Sequence, residues 1–500
     1  MPNKTNTTAK ALHTWTKPKK FDTNLVVIGA GSGGLVASYI AAAVKAKVAL
    51  IEQHKMGGDC LNTGCVPSKA LICSTRLLAQ LSRSAEFGIK NIKAEFTFAD
   101  IMERVQRIVN TIAPHDSIER YSQLGVDVVE GKARIISPWE VEVITATGTR
   151  TITTLAIVIA AGARPFVPPI PGLENIDYLT SDNVWNLREQ PKCMIVLGGG
   201  PIGCELAQCF ARLGVRVIQV EMAARLLIRE DSEVSDSVAA RFRKEGIDVR
   251  LEHTAKRFII ENGEKFLIAE HLGKEVRIAF DQVLVAIGRV ANTQGYGLEE
   301  IGVVVSPRKT VQVDAFQATN YPNIFACGDV AGPYQFTHTA AHQAWYASVN
   351  ALFGSFKKFR TDYSVIPWAT FTDPEVARVG LNEQDAKDLG LAYEVSRYDL
   401  ADLDRAIADS EAHGFVKVLT VPGKDKILGV TIVGEHAGDL IAEFVLAMKH
   451  KIGLNKVLGT IHIYPTLAEA NKYVAGVWKR NHQPDLLLRW IARFHNWRRG

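Results

Sequence analysis

No run of about 18 uncharged apolar residues occurs in the 500-residue sequence, so no membrane-spanning helix is expected. The opening, MPNKTNTTAKALHTWTKPKK, lacks the apolar core of a secretory signal and reads as a solvated tail over residues 1–21, with a mitochondrial transit peptide as the alternative because it is Thr- and Lys-rich with no acid before Asp22. Cysteine is sparse and odd in number, seven in all. That argues against a secreted disulfide framework and for a cytoplasmic protein. Charge of one sign is scarce as well. Lys+Arg 58 against Asp+Glu 53 leaves +5, thinly spread, which argues against a nucleic-acid partner. No resident metal site and no short-period repeat is read. What remains is ordinary globular composition, 47% hydrophobic and 22% charged, which excludes disorder and collagen-like chains. At about 150 residues per domain, three domains or slightly more are expected.

Two similar segments stand out. Residues 25–52 read LVVIGAGSGGLVASYIAAAVKAKVALIE, and residues 194–221 read MIVLGGGPIGCELAQCFARLGVRVIQVE. Each has an apolar run, a glycine-rich turn, a helical stretch, a second apolar run and a final Glu. Such βαβ units need a parallel sheet. Gly29, Gly31 and Gly34 form the first G-x-G-x-x-G; Gly198, Gly200 and Gly203 form the second. The first glycine permits the tight turn. The second lets backbone approach a pyrophosphate, and the third lets helix pack on strand. The helix N-terminus then favours the phosphates. Glu52 and Glu221 close the units, where a carboxylate accepts hydrogen bonds from an adenosine ribose and repels a 2′-phosphate. Glu221 therefore favours NAD(H), and Arg225 four residues later leaves NADP(H) open. Two dinucleotide sites suggest a flavin with a nicotinamide cofactor, the pairing of hydride-transfer chemistry.

The segment GGDCLNTGCVPSKA follows Glu52. Cys60 and Cys65 are five residues apart. A regular helix would separate them by about 7.5 Å in axial rise, whereas a disulfide wants Cα atoms roughly 4.4–6.8 Å apart. The expectation is a distorted turn, with Gly64 placed to permit it and a labile redox disulfide rather than a staple. Val66-Pro67-Ser68-Lys69 looks like a helix start, which puts Cys65 at a helix N-terminus, where a thiolate is favoured.

CLNTGCVPSK resembles the active-site motif of the class I FAD-dependent pyridine nucleotide-disulfide oxidoreductases, a family that includes dihydrolipoamide dehydrogenase, glutathione reductase and mercuric reductase. The resemblance runs from about residue 22 to about 480. It implies that Cys65 contacts the flavin, that Cys60 exchanges with substrate, and that Lys69 beside the flavin pairs with Glu205. IVIAAGARP, with Gly162, is similar to the turn after the first FAD segment. AIGRVANT, with Gly288, resembles the close of the NAD domain. IFACGDVAG matches the second FAD motif, in which Asp329 holds the ribityl chain, and Gly58 belongs to the cofactor-facing redox segment. PWATFTDPEVARVGLNEQDA resembles the start of the family's dimerisation domain. The implied fold is α/β, with two Rossmann-like dinucleotide-binding domains and a C-terminal α+β dimerisation domain. The FAD domain is split in sequence, its first segment implied over 22–170 and its second over 291–362. The NAD(P) domain is implied over 171–290 and the dimerisation domain over 363–480. The implied cofactors are FAD and NAD(P)(H), in a homodimer.

One departure is chemical. Where dihydrolipoamide dehydrogenase and glutathione reductase carry a His-Pro pair, this chain has Tyr464-Pro465, with His462 before it and Glu469 after it. A His near pKa 6.5 shuttles a thiol's proton at neutral pH; a Tyr near 10 keeps its own. Efficient turnover of lipoamide or glutathione disulfide is therefore not expected. Mercuric reductases carry Tyr near this place, but the tail RFHNWRRG lacks their vicinal cysteines, and their Cys-x-x-Cys carrier domain is missing. The expected function is electron transfer from NAD(P)H through FAD and Cys60–Cys65 to a disulfide or metal-ion acceptor. Dihydrolipoamide dehydrogenase, a flavin-level diaphorase or quinone reductase, and a non-enzymatic redox sensor stand as alternatives. Residues 481–500 include a basic amphipathic stretch, PDLLLRWIARFHNWRRG, expected to pack on its own domain or its dimer mate rather than on a membrane surface.

Overall fold

The computed structural model describes residues 15–90 and 92–500. Most of the expected N-terminal tail, residues 1–14, lies outside the described residues. The chain divides into two compact units. The first comprises Met1–Val66, Arg107–Arg164 and Arg289–Thr361; the second comprises Pro67–Gln106, Pro165–Gly288 and Asp362–Gly500.

The first unit is built on a parallel sheet in the order Val126–Glu130, Val48–Glu52, Thr23–Ile28, Gly148–Ile159, with Ile324–Ala326 added beside Gly148–Ile159. Its central strands are near-continuous apolar runs because both faces are covered. Period-two alternation sorts them. Val26, Ile28, Ala49, Ile51, Ile157 and Ile159 enter one core. Leu25, Val27, Val48, Leu50, Ala156 and Val158 enter the other. Gly148–Ile159 serves two roles, pairing antiparallel with Glu140–Thr145 in its first half and parallel with Thr23–Ile28 in its second.

The second unit repeats the parallel theme in the order Asp248–Arg250, Arg216–Val220, Cys193–Leu197, Gln282–Val285. It adds a three-stranded antiparallel meander, His253–Glu261, Glu264–His271 and Lys274–Phe280. Its C-terminal region is a five-stranded antiparallel sheet in the order Pro367–Thr370, Glu375–Gly380, Ile427–Gly434, Phe415–Thr420, Glu394–Asp399. Helices Ala437–Lys449 and Glu469–Asn481 cover it through Ile441, Phe444, Val474 and Trp478. Buried Lys417 is held by Asp231 at 2.5 Å, Glu233 at 2.5 Å and Glu383 at 3.0 Å. A buried ammonium persists only when paired this fully.

The final helix, Asp485–Arg499, corrects one expectation. It forms, but it has no buried residue, so the own-domain half of that expectation is not met; the half that places it on a dimer mate concerns a second chain. Helical periodicity decides which residues share a face; it does not supply a neighbour for that face.

Candidate active site

The two glycine turns share one geometry. A Cβ on Gly29 would meet the Ala160 carbonyl, and one on Gly198 would meet that of Ala286. A Cβ on Gly34 would run into the Gly29 carbonyl, and one on Gly203 into that of Gly198. The first and third glycines are thus required by the protein's own backbone. The second ones are not. Gly31 and Gly200 have φ of −77°, open to any residue, and nothing lies within 3.9 Å of a Cβ on Gly31 or within 4 Å of one on Gly200. Neither strain nor packing asks for glycine there, so the space fits a ligand's phosphates at the N-termini of helices Ser32–Ala43 and Pro201–Arg212. The acids match as well. Glu52 accepts from Ala30 N at 2.6 Å and His54 N at 2.8 Å. Glu221 accepts from Gly199 N at 2.5 Å and Ala223 N at 2.6 Å. Arg225 turns to the Ile228 carbonyl, at 3.2 Å. We expect Gly200→Ala to leave stability within about 1 kcal/mol of the parent while raising KM for the nicotinamide cofactor at least about tenfold. Thermal melts and initial rates check both.

The helix across Gly58–Asn62 breaks at Thr63 and Gly64, and Cys65 opens the next, Cys65–Ser82. A Cβ on Gly64 would press on the Asp59 carbonyl at 3.0 Å, so the break is tight. Cys60 and Cys65 are both thiols, and they hydrogen-bond. That bond, together with burial, pushes the Cys60 thiol well up from its ordinary value, while Thr337 and Ser32 pull the other way. Cys65 Sγ also lies 3.3 Å from Thr337 Oγ1. Thr337 is the first residue of the 17-residue helix Thr337–Phe353, whose positive end therefore lies near the sulfurs. Burial holds Cys204, Cys209 and Cys327 up to about 12, so these stay protonated and inert.

Beside the thiols in the same unit, Arg289 pairs with Asp59, donates to the Ala163 carbonyl at 2.8 Å and lies 3.7 Å from Asp329. Burial raises the Asp329 carboxyl, and Arg289 opposes that rise. The Gly-Asp turn is fixed by fully buried Gln343, which accepts from Gly328 N at 2.6 Å and donates to the Gly332 carbonyl at 2.7 Å. Gly162, at φ +66°, accepts from Asn292 N at 3.0 Å. Sequence reasoning missed Thr337, Gln343 and the Asp59–Arg289 pair. A Gln on the apolar side of a helix was the one local signal; the others join residues more than 200 positions apart.

In the second unit Lys69 Nζ lies 2.9 Å from Glu205 Oε2 and 4.3 Å from the Phe371 ring centre. Glu205 is buried, and its second oxygen accepts from Phe371 N at 3.0 Å. Gly288 accepts from Phe166 N at 2.9 Å. Farther along this unit, Tyr464 is 65% exposed and donates to Asp404 at 3.0 Å, not to Glu469. That hydrogen bond to a carboxylate raises the phenol. Glu469 is buried, accepting from Tyr473 Oη at 3.1 Å and Thr466 N at 3.3 Å. His462 is committed through both ring nitrogens, to the Thr460 carbonyl at 3.0 Å and to Glu443 at 3.0 Å.

Dithiol chemistry joined to two dinucleotide turns is the architecture of a flavin-linked disulfide oxidoreductase. The family model of that chemistry, pyridine nucleotide-disulphide oxidoreductase, matches residues 23–344, and its dimerisation domain matches residues 366–475. The chain belongs to this family. It is 35% identical over 454 residues to a dihydrolipoyl dehydrogenase of Chlamydia muridarum, covering 89% of this chain and 94% of that one. It is 33% identical over 456 residues to a mercuric reductase of Streptomyces lividans, covering 90% and 95%. Among solved structures, it resembles the Cu(II) complex of the HOCl-induced flavoprotein disulfide reductase RclA from Escherichia coli, with TM-score 0.81 and 27% identity, covering 91% and 99%. The family binds FAD and a pyridine nucleotide, and the turns described above fit both. Among the described residues no helix is long and apolar enough to cross a membrane.

Proposed function

We propose that the protein is a cytoplasmic, homodimeric NAD(P)H-dependent reductase that passes electrons through Cys60 and Cys65 to a disulfide or metal-ion acceptor. The observation that carries this reading is the hydrogen-bonded thiol pair at a helix break, with Thr337 of a second helix start against it. One NAD(P)H brings a hydride, which is two electrons and a proton. A second proton from solvent completes both thiols as the Cys60–Cys65 bond opens. FAD supplies the two-electron relay between nicotinamide and sulfur. Cys65, at a helix N-terminus, is the sulfur placed to carry negative charge. Cys60 takes the family role of the sulfur that exchanges with acceptor, as a thiolate formed once its raised thiol gives up its proton. Lys69, balanced by Glu205, takes the family role of the flavin-side cation. Asp329, Gly58 and Gly162 take cofactor-holding roles, and Gly288 helps close the NAD(P) domain.

Metal ions stand beside disulfides as acceptors because Tyr464 replaces the usual proton-shuttling His, and reduction of a metal ion at a dithiol does not need a thiol leaving group to be protonated. The mercuric reductase and Cu(II)-complex relatives support this. A screen of NADH and NADPH oxidation over Hg(II), Cu(II), lipoamide, glutathione disulfide and quinones tests it. Metal or disulfide turnover that vanishes in Cys60→Ser supports the reading; quinone turnover alone, indifferent to that change, refutes it. NADH is the expected donor because the Glu221 carboxylate repels a 2′-phosphate. Glu221→Ala should raise the NADPH-to-NADH ratio of kcat/KM about 10- to 100-fold, the worth of hydrogen bonds to a charged acceptor. Equal use of both donors by the parent would contradict this assignment.

A further inference from the structure

The exposed helix Asp485–Arg499 carries a chemistry that the redox reaction does not use. At 100° per residue, Leu486, Leu487, Trp490, Ile491, Phe494 and Trp497 share one side. Their exposures run from 39% to 77%. Arg493 borders this face beside Leu486, and Arg498 falls within its far side, between Leu487 and Ile491, 5.8 Å from the Phe494 ring centre. Arg489 and Arg499 lie farther round. Against these four arginines the helix holds one acid, Asp485.

We propose that this helix lies on the surface of an anionic lipid bilayer, with its aromatic face at the boundary between headgroups and acyl chains and its arginines on lipid phosphates. Tryptophan, phenylalanine and arginine suit that boundary, since each presents an apolar body with a polar or charged edge. The charge selects among occupants. Pairing this face with the same face of a second copy would bring Arg493 and Arg498 of each copy into the seam, with no acid on the face to meet them. A nucleic acid would satisfy the arginines but leave six large apolar side chains in water. An anionic leaflet satisfies both. The helix spans about 22 Å at 1.5 Å per residue, and it is too charged to cross, so it lies along the surface.

Flotation of the full-length holoenzyme with phosphatidylcholine vesicles, with and without phosphatidylglycerol, tests this. The expected result is binding to the anionic vesicles only, weakened by added salt. It should fall about fivefold for each of Arg489→Gln and Arg493→Gln, and be abolished by Trp490→Asp with Phe494→Asp. FAD content and NADH oxidation should be unchanged in every variant. The proposal is overturned by absence of binding to anionic vesicles, by equal binding to neutral ones, by a drop in oligomeric mass in Trp490→Asp/Phe494→Asp, or by preferential binding to duplex DNA at matched phosphate concentration.

Discussion

Cys65→Ser is expected to abolish acceptor reduction, by about 10³-fold or more, while NADH still reduces the bound flavin. Nucleophilic relay splits one difficult transfer into two easier ones, and loss of either sulfur removes both. The structure gives the two sulfurs different positions. Cys65 opens the helix Cys65–Ser82 and lies 3.3 Å from Thr337 Oγ1, whereas Cys60 is held protonated by its bond to Cys65 and by burial. Cys60→Ser should therefore lose turnover equally but leave a thiolate at position 65, and with it the long-wavelength absorbance of sulfur against oxidised flavin. Cys65→Ser should show no such band. Cys204, Cys209 and Cys327, protonated up to about 12, should be replaceable without effect on this band.

Tyr464→His should raise lipoamide reduction about 10²-fold at neutral pH, the lower range of general acid-base help. The direction follows from two shifts. Cys60 keeps its proton above the ordinary thiol range, and the Tyr464 phenol is itself raised by Asp404, so at neutral pH neither gives or takes a proton readily. Below a raised thiol pKa the reactive thiolate grows about tenfold per pH unit. Lipoamide turnover by the parent should accordingly climb with pH beyond 8, and a histidine at 464 should flatten that climb. An efficient parent rate at pH 7, with no gain in the variant, would remove Tyr464 from the account.

Local pattern made much of this legible. Apolar runs interrupted by glycine gave both βαβ units because strand and helix periods differ. The five-residue spacing of Cys60 and Cys65 demanded a broken helix, and the break falls at Thr63 and Gly64. Lys69 and Glu205, joined in the sequence only by family resemblance, lie 2.9 Å apart. The long-range pairings were not legible: Thr337 with Cys65 and Arg289 with Asp59 depend on tertiary register, which no local periodicity carries. His462 is a candidate because the family resemblance matches it to a histidine that precedes the His-Pro pair in dihydrolipoamide dehydrogenases. Of its two occupied ring nitrogens, one meets the nearby Thr460 carbonyl and the other meets Glu443 of a helix that no local pattern places beside it. The amphipathic face of Asp485–Arg499 was legible from its spacing; what it packs on was not, since periodicity describes a helix and not its surroundings.

The central claim is that electrons pass through the sulfur pair, and an anaerobic NADH titration of the purified holoenzyme tests it most directly. The account predicts uptake of more than two electrons per subunit, with a long-wavelength band rising at the midpoint and fading as titration proceeds. Uptake of two electrons alone, with no band, would contradict it.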